Sequence, residues 1–405
     1  MSQQQFIIVG GGLAGVTAAE QLRESGFTGK ILLLGDEGHS PYNRPPLSKE
    51  YMMGTDSRAS VQLHPDTWYL EHDIDLVTGQ TATALGDHTV TLASGEQVSF
   101  DRLLLAIGAS PRRLDLPGSD ANGIHYLRTV DDSENLRASL RDGGKNVVLV
   151  GAGWIGLELA AAARGYSNTV TVVAPDSVPL SRALGDELGT MFKNLHESHG
   201  VTFQLDTKVT GFSEADGRVT GVITDAGVID ADLVVVGIGA VPNTALAETG
   251  GVDIDHGILV DAHLATSVAD VFAAGDVANA YHPVVKQRMR NEHWANAIAS
   301  GKVAARCMLG EDVVLNDIPY FYTDQFDLGM EYSGYAPLTK DAHIVYRGDR
   351  TKGEFIVFWV AKGKVVAGMN VNVWDVNEQV QELIRSGRTI DEMQLHDPAV
   401  ELSAL

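Results

Sequence analysis

Cysteine is almost absent from this chain: Cys307 is the only one in 405 residues. A single thiol excludes a disulfide framework, a cluster of thiolate metal ligands and an active-site dithiol, and no metal is expected. Long apolar runs are missing too, and none reaches the roughly 20 residues that cross a bilayer. MSQQQ leads directly into the first apolar strand and leaves no room for a signal peptide, so a cytoplasmic protein that does not enter membranes is expected. Positive charge is in deficit, with 30 Lys and Arg against 53 Asp and Glu, a formal charge of −23. Such a field repels phosphate backbones at long range and excludes nucleic acid as a partner. Cations gather in KQRMR (Lys286, Arg288 and Arg290), with Lys302 nearby. A run of this kind is either solvated surface or a docking patch for an acidic protein.

Glycine, in contrast, is plentiful and placed with a pattern. IIVGGGLAG puts Gly10, Gly12 and Gly15 after a run of apolar residues, and VVLVGAGWIG repeats the arrangement with Gly151, Gly153 and Gly156. Each reads as a buried strand, a tight turn and a helix rich in Ala, Leu and Glu. The first glycine permits the bend, and the second admits phosphate close to the backbone. The third lets the helix pack on its strand with unpaired N–H groups aimed at the anion. Two such turns imply two dinucleotides, one a flavin and one a nicotinamide. With no sulfur pair available, the electrons need another exit.

The organisation follows from these turns. The first unit continues through KILLLGDE, where Asp36 is the candidate ribose acceptor, and breaks after RLLLAIGASPR. The second unit closes similarly with DLVVVGIGAVPN. This recurrence predicts one dinucleotide-binding module inserted in another. VFAAGDVAN and the helical HWANAIASGKVAARCMLG return to the first unit. From Ile318 the texture becomes aromatic and β-branched, predicting antiparallel strands with a turn at Lys362 and Gly363 and a closing helix over 376–385. The expected fold is α/β, with two Rossmann-like dinucleotide-binding domains of the glutathione-reductase type. A discontinuous FAD-binding domain spans 1–113 and 244–315, an NAD(P)H-binding domain 114–243, and a C-terminal α+β domain 316–405.

GGGLAG, SPYNRPPLSK, AIGASPR, GAGWIGLELA, GIGAVPN, AAGDVAN and PYFYTDQ occur in this order. In this the chain resembles the FAD-dependent ferredoxin reductases of bacterial oxygenase systems, the putidaredoxin reductase and biphenyl dioxygenase ferredoxin reductase type, over essentially its whole length. The resemblance implies hydride transfer from NADH, with NADPH possible, to FAD. Single electrons then pass to a small iron–sulfur ferredoxin serving a Rieske dioxygenase or haem-thiolate monooxygenase. The reductase itself would be a monomer or homodimer. Thiol-linked NADH oxidases and peroxidases share the two-module layout, but need a redox cysteine near the segment that here holds Tyr42 and Asn43. Relatives of apoptosis-inducing factor, with signalling roles and no ferredoxin, also carry a PPLSK segment.

Position by position, the resemblance implies that Gly12, Leu13, Ala14 and Gly15 line the FAD pyrophosphate and Asp36 holds the adenosine ribose. Ala82 meets the adenine by its backbone. Arg44 and Lys49 contact FAD, Lys49 near the ring; Arg128 supports the flavin, Asp276 bonds the ribityl chain and Trp294 sits at the isoalloxazine edge. Taken singly, Arg44 and Lys49 read equally well as surface charges, and Trp294 as core. On the nicotinamide side the resemblance implies Gly151, Gly153, Ile155, Gly156 and Gly239. Glu158 is placed beside the nicotinamide, paired with Lys49, although a carboxylate in the first turn of a helix is ordinarily a favourable terminal charge. Tyr320 and Tyr322 are expected near the nicotinamide or flavin face. One position departs from the pattern. Where NADH-preferring members end the next strand in glutamate, TVTVVAPDS has Ala174, with Asp176 two residues on. Asp176 would repel the 2′-phosphate of NADPH, which favours NADH.

Overall fold

The computed structural model describes residues 3–405; the expected start of the first unit at residue 1 lies outside them. Two parallel five-stranded sheets are built on one plan. In the first, Gln5–Val9 is central, with Lys30–Leu34 and Ile74–Val77 on one side and Arg102–Leu105 and Val271–Ala273 on the other. In the second, Asn146–Val150 is central, with Thr169–Val173 and Val201–Gln204 on one side and Leu233–Val236 and Ile124–His125 on the other. Both central strands are near-continuous apolar runs, as sheets covered on both faces require. Each sheet has a three-stranded antiparallel companion, 82–99 in the first unit and 209–230 in the second.

The chain passes between the two sheets twice, and the crossings pair with each other. Ala109–Pro111 runs antiparallel to Ala240–Pro242, and the Asn243 side chain donates to the Ile107 carbonyl at 2.8 Å. The repeated Ile-Gly-Ala-x-Pro texture of AIGASP and GIGAVP is therefore a two-stranded hinge ribbon. After it, the run expected as one strand over 271–279 breaks at Gly275, whose φ of +73° turns the chain into the short 3₁₀ segment Gly275–Val277 before Ala278–His282. The helix Trp294–Met308 then packs along Leu13–Glu24, the helix that follows the first glycine turn. There Gly301 lies so close that a Cβ would sit 2.5 Å from the Ala14 carbonyl oxygen.

The C-terminal region is an antiparallel sheet of Tyr320–Gln325, Leu328–Gly334, Lys364–Val371, Glu354–Ala361 and His343–Asp349, in that spatial order. The closing helix is Asn377–Ser386, one residue later than 376–385 because Val376 serves as its N-cap. One face of the sheet, including Met330, Tyr332 and Trp359, shares a core with Leu157, Leu188 and Phe192 of the second unit. The other face packs on the closing helix and the chain end through Phe358, Val380 and Leu395. The strand Tyr320–Gln325 thus reaches Trp154–Gly165, the helix that follows the second glycine turn. Among the described residues, no helix is long and apolar enough to cross a membrane.

Candidate active site

Both glycine turns have the geometry that their spacing implies. Gly10 and Gly151 adopt φ of +121° and +107°, where a side chain is strained, and a Cβ on either would lie 2.1–2.3 Å from a carbonyl oxygen of the adjacent strand's continuation. Gly15 and Gly156 let each helix lie on its own turn, with an added Cβ 2.1 and 2.4 Å from the Gly10 and Gly151 oxygens. At Gly12 and Gly153 a Cβ would meet nothing within 4 Å. These two residues are the N-caps of Leu13–Glu24 and Trp154–Gly165, and neither helix has a side-chain cap or an acidic residue in its first turn. Two uncapped helix starts therefore open onto free space, which fits an anionic pyrophosphate at each. Leu13 and Ala14 continue from the first of these starts. Ile155, half exposed, lies in the first turn of the second.

Three of the expected FAD contacts form one connected set. Arg128 Nη2 bonds Asp276 Oδ2 at 2.8 Å, and Arg44 Nη1 donates to the Arg128 carbonyl at 2.5 Å. Arg44 also pairs with Glu37 at 2.7 Å, so it is no free surface charge. Burial pushes the Asp276 carboxyl upward while Arg128 opposes the shift. Glu37, also held by Tyr42, is the acid of KILLLGDE with partners; Asp36 is exposed at the same strand end. Ala82 opens the antiparallel companion sheet, half buried against the first core. Trp294 is not core: it is 40% exposed, and its indole N–H donates to Asn43 Oδ1 at 3.2 Å.

Lys49 and Glu158 meet in a buried pair. Lys49 Nζ lies 3.2 Å from Glu158 Oε1, with the two side chains only 9% and 7% exposed. Glu158 is in the helix's second turn, the helix having begun at Trp154, and it points inward instead of acting as a terminal charge. Sequence reasoning missed its other partners. Ser48 Oγ donates to Oε2 at 2.5 Å, and Thr323 Oγ1 donates to Oε1 at 2.6 Å. One carboxylate thus collects the PPLSK segment, the second glycine-turn helix and the C-terminal sheet. The alternation of YFYTDQ carried a signal for this, since it turns Thr323 and Gln325 to the face opposite Tyr322. Tyr322 reaches the site, its ring 5.2 Å from Lys49 Nζ. Tyr320 instead donates to Glu331 at 2.8 Å.

On the nicotinamide side, Ala174 is buried at the end of its strand, and Asp176 is bound by Arg182 at 3.2 Å. Gly239 is exposed at the hinge ribbon, with φ of +97° and open space around it. The basic cluster is largely committed to structure. Arg288 Nη1 donates to the carbonyls of Val260 and Asn279, and Arg290 Nη1 to that of Asp276. Lys286 and Lys302 remain exposed. Cys307 is buried, donates to the Val313 carbonyl and is pushed up to about 11 by burial, far from a reactive thiolate.

Comparison with known proteins identifies the family. The family model described as pyridine nucleotide-disulphide oxidoreductase matches residues 4–301, and the reductase C-terminal model matches 320–405. A probable ferredoxin reductase CtmF of Castellaniella defragrans is 38% identical, over 100% of this chain and 99% of its own. The ferredoxin–NAD(+) reductase component of the anthranilate 1,2-dioxygenase system of Burkholderia cepacia is 36% identical, over 99% of each. The reductase in the crystal structure of a covalent putidaredoxin reductase–putidaredoxin complex superposes with a TM-score of 0.94, at 32% identity, over 99% of this chain and 98% of that one.

Proposed function

The chain belongs to the pyridine nucleotide-disulphide oxidoreductase family and is an FAD-dependent ferredoxin reductase using NAD(H), and from that premise we propose that the junction around Lys49 and Glu158 is where hydride arrives. The buried ion pair beneath Tyr322, joining both glycine-turn units to the C-terminal sheet, carries this reading. FAD, when bound, supplies hydride acceptance from NADH and release of the two electrons one at a time. The chain's residues do the rest. The helix start at Gly12 to Gly15 holds the FAD pyrophosphate, and the acidic end of Lys30–Leu34 holds the adenosine ribose through Asp36. Arg44, Arg128 and Asp276 hold the flavin's polar chain, and Trp294 flanks its ring system. The second helix start, with Gly151, Gly153, Ile155, Gly156 and Gly239, holds the nicotinamide dinucleotide. With FAD bound, the positive charge of Lys49 would favour the reduced, more negative flavin, and Glu158 fixes that lysine.

The domain division proposed with this reading is 1–113 and 244–315 for FAD, 114–243 for NADH, and 316–405 for the C-terminal unit. Leu315 packing in the first core and Ile318 in the last support the final boundary. The acceptor is a small iron–sulfur ferredoxin that feeds an oxygenase, and the cytoplasm is the compartment, where the NADH pool lies. Cytochrome c reduction tests the acceptor: a strong dependence on added ferredoxin is expected, and equal rates without it would remove ferredoxin from the account.

Coenzyme choice depends on Asp176. Its carboxylate favours ribose hydroxyls, and Arg182 is held by it. Asp176→Ala frees Arg182 for a 2′-phosphate and is expected to narrow the NADH-over-NADPH ratio of kcat/KM about tenfold, equivalent to about 1.4 kcal/mol. An unchanged ratio would take Asp176 out of the ribose site.

A further inference from the structure

Behind Thr323 the polar contacts continue into the protein. Gln325 Nε2 donates to Thr323 Oγ1 at 3.1 Å, and His196 Nε2 lies 2.8 Å from Gln325 Oε1. Thr323 and Gln325 are each 1% exposed and His196 is fully buried, so water does not compete for these bonds. His196 belongs to Asp186–Ser198, a helix of the second unit, whereas Thr323 and Gln325 are on the C-terminal strand Tyr320–Gln325. The four side chains form a line from the buried ion pair, through the C-terminal sheet, back to the unit that carries Glu158.

The direction of this line is fixed by chemistry. A carboxylate oxygen accepts, so the Thr323 hydroxyl donates its hydrogen bond to Glu158. The Thr323 oxygen then accepts from the Gln325 amide N–H, which turns the Gln325 carbonyl towards His196. His196 must therefore carry its proton on Nε2, leaving Nδ1 bare, and Nδ1 has no partner among the described residues. Burial pushes the imidazole down to about 4, so it stays neutral at neutral pH. Its ring is held edge-on by Phe203 and Phe326. Each donor in the line points towards the next member on the way to Glu158, whose carboxylate also receives Lys49 at Oε1 and Ser48 at Oε2.

We propose that Thr323, Gln325 and His196 are positioning residues that hold the Glu158 carboxylate, and through it Lys49, in the geometry used for hydride transfer from NADH. The inference rests on the reading of Glu158 and Lys49 given above. It assigns the C-terminal sheet a part in the reductive half-reaction as well as in the framework. Lys49 and Ser48 hold the carboxylate from the PPLSK segment alone, and a third donor fixed in another unit restricts the rotamer freedom that a carboxylate on a helix retains.

Four variants and one spectroscopic signature test the proposal. Thr323→Val keeps the shape but removes the hydroxyl. It is expected to lower the rate of flavin reduction at saturating NADH about tenfold, with KM within about twofold, as a small misplacement of a reacting group does. Thr323→Ser restores the hydroxyl and should recover the rate to within about threefold, and Gln325→Leu should lose about threefold. In ¹⁵N-histidine-labelled holoprotein at pH 7, His196 should appear as the Nε2–H tautomer, and Gln325→Leu should abolish that preference. A fast Thr323→Val protein, a Thr323→Ser protein as slow as Thr323→Val, or an Nδ1–H tautomer in the wild type would each overturn the proposal. Glu158→Gln separates this failure from failure of the site reading. If Glu158→Gln is slow while Thr323→Val is fast, only the positioning line falls. If Glu158→Gln is as fast as wild type, the site reading falls and the line with it.

Discussion

A Gly12→Ala protein should purify folded but nearly colourless. Gly12 has φ of −84°, which alanine adopts freely, and an added Cβ meets no protein atom within 4 Å. Nothing in the polypeptide resists the methyl group; what it obstructs is the space in front of the uncapped helix start. The apoprotein should therefore melt within a degree or two of wild type, while FAD affinity falls on the order of 100-fold, or about 2.7 kcal/mol. Gly15→Ala gives the contrasting result. Its Cβ would lie 2.1 Å from the Gly10 carbonyl oxygen, a backbone atom with nowhere to go. That variant should lose apoprotein stability by roughly 1–3 kcal/mol as well as FAD, since helix and turn must separate. Calorimetry of both apoproteins and FAD titration by fluorescence quenching read the two quantities separately. A Gly12→Ala protein with full flavin content would remove the pyrophosphate from this helix start.

The second large effect concerns the buried pair. Lys49→Met leaves the Glu158 carboxylate with hydroxyl donors but no opposite charge, a change that costs about 3 kcal/mol at a buried site. Combining Lys49→Met with Glu158→Gln removes both charges and should recover most of the melting temperature. Activity should not follow stability. Flavin reduction by NADH, followed by stopped-flow absorbance, should be on the order of 100-fold slower in Lys49→Met and in the double variant alike. Recovery of rate together with stability would mean that the pair is only structural.

Much of this arrangement was legible in the sequence because it depends on local rules. The glycine spacings fix a turn and a helix start within a dozen residues, and the recurrence of AIGASP and GIGAVP marked where the chain leaves each unit, although not that the two crossings pair. Lys49 and Glu158 were reached through resemblance, and the structure adds what resemblance did not carry: both are buried, and Glu158 is in the second helical turn. Ser48, Thr323, Gln325 and His196 were not legible. Strand alternation puts Thr323 and Gln325 on one face, but hydrogen bonding between residues 165 or 129 positions apart depends on how three units pack. The basic cluster shows the same limit: KQRMR reads as solvated surface or a docking patch, and the backbone carbonyls that Arg288 and Arg290 also satisfy are ones that no linear pattern shows to be unpaired.

Anaerobic titration of the oxidised holoprotein with NADH tests the central claim most directly. With Cys307 buried and bonded to Val313, the flavin is the sole two-electron store, so one equivalent of NADH per chain should bleach it fully. A requirement for two equivalents would reveal a second redox centre and contradict the account.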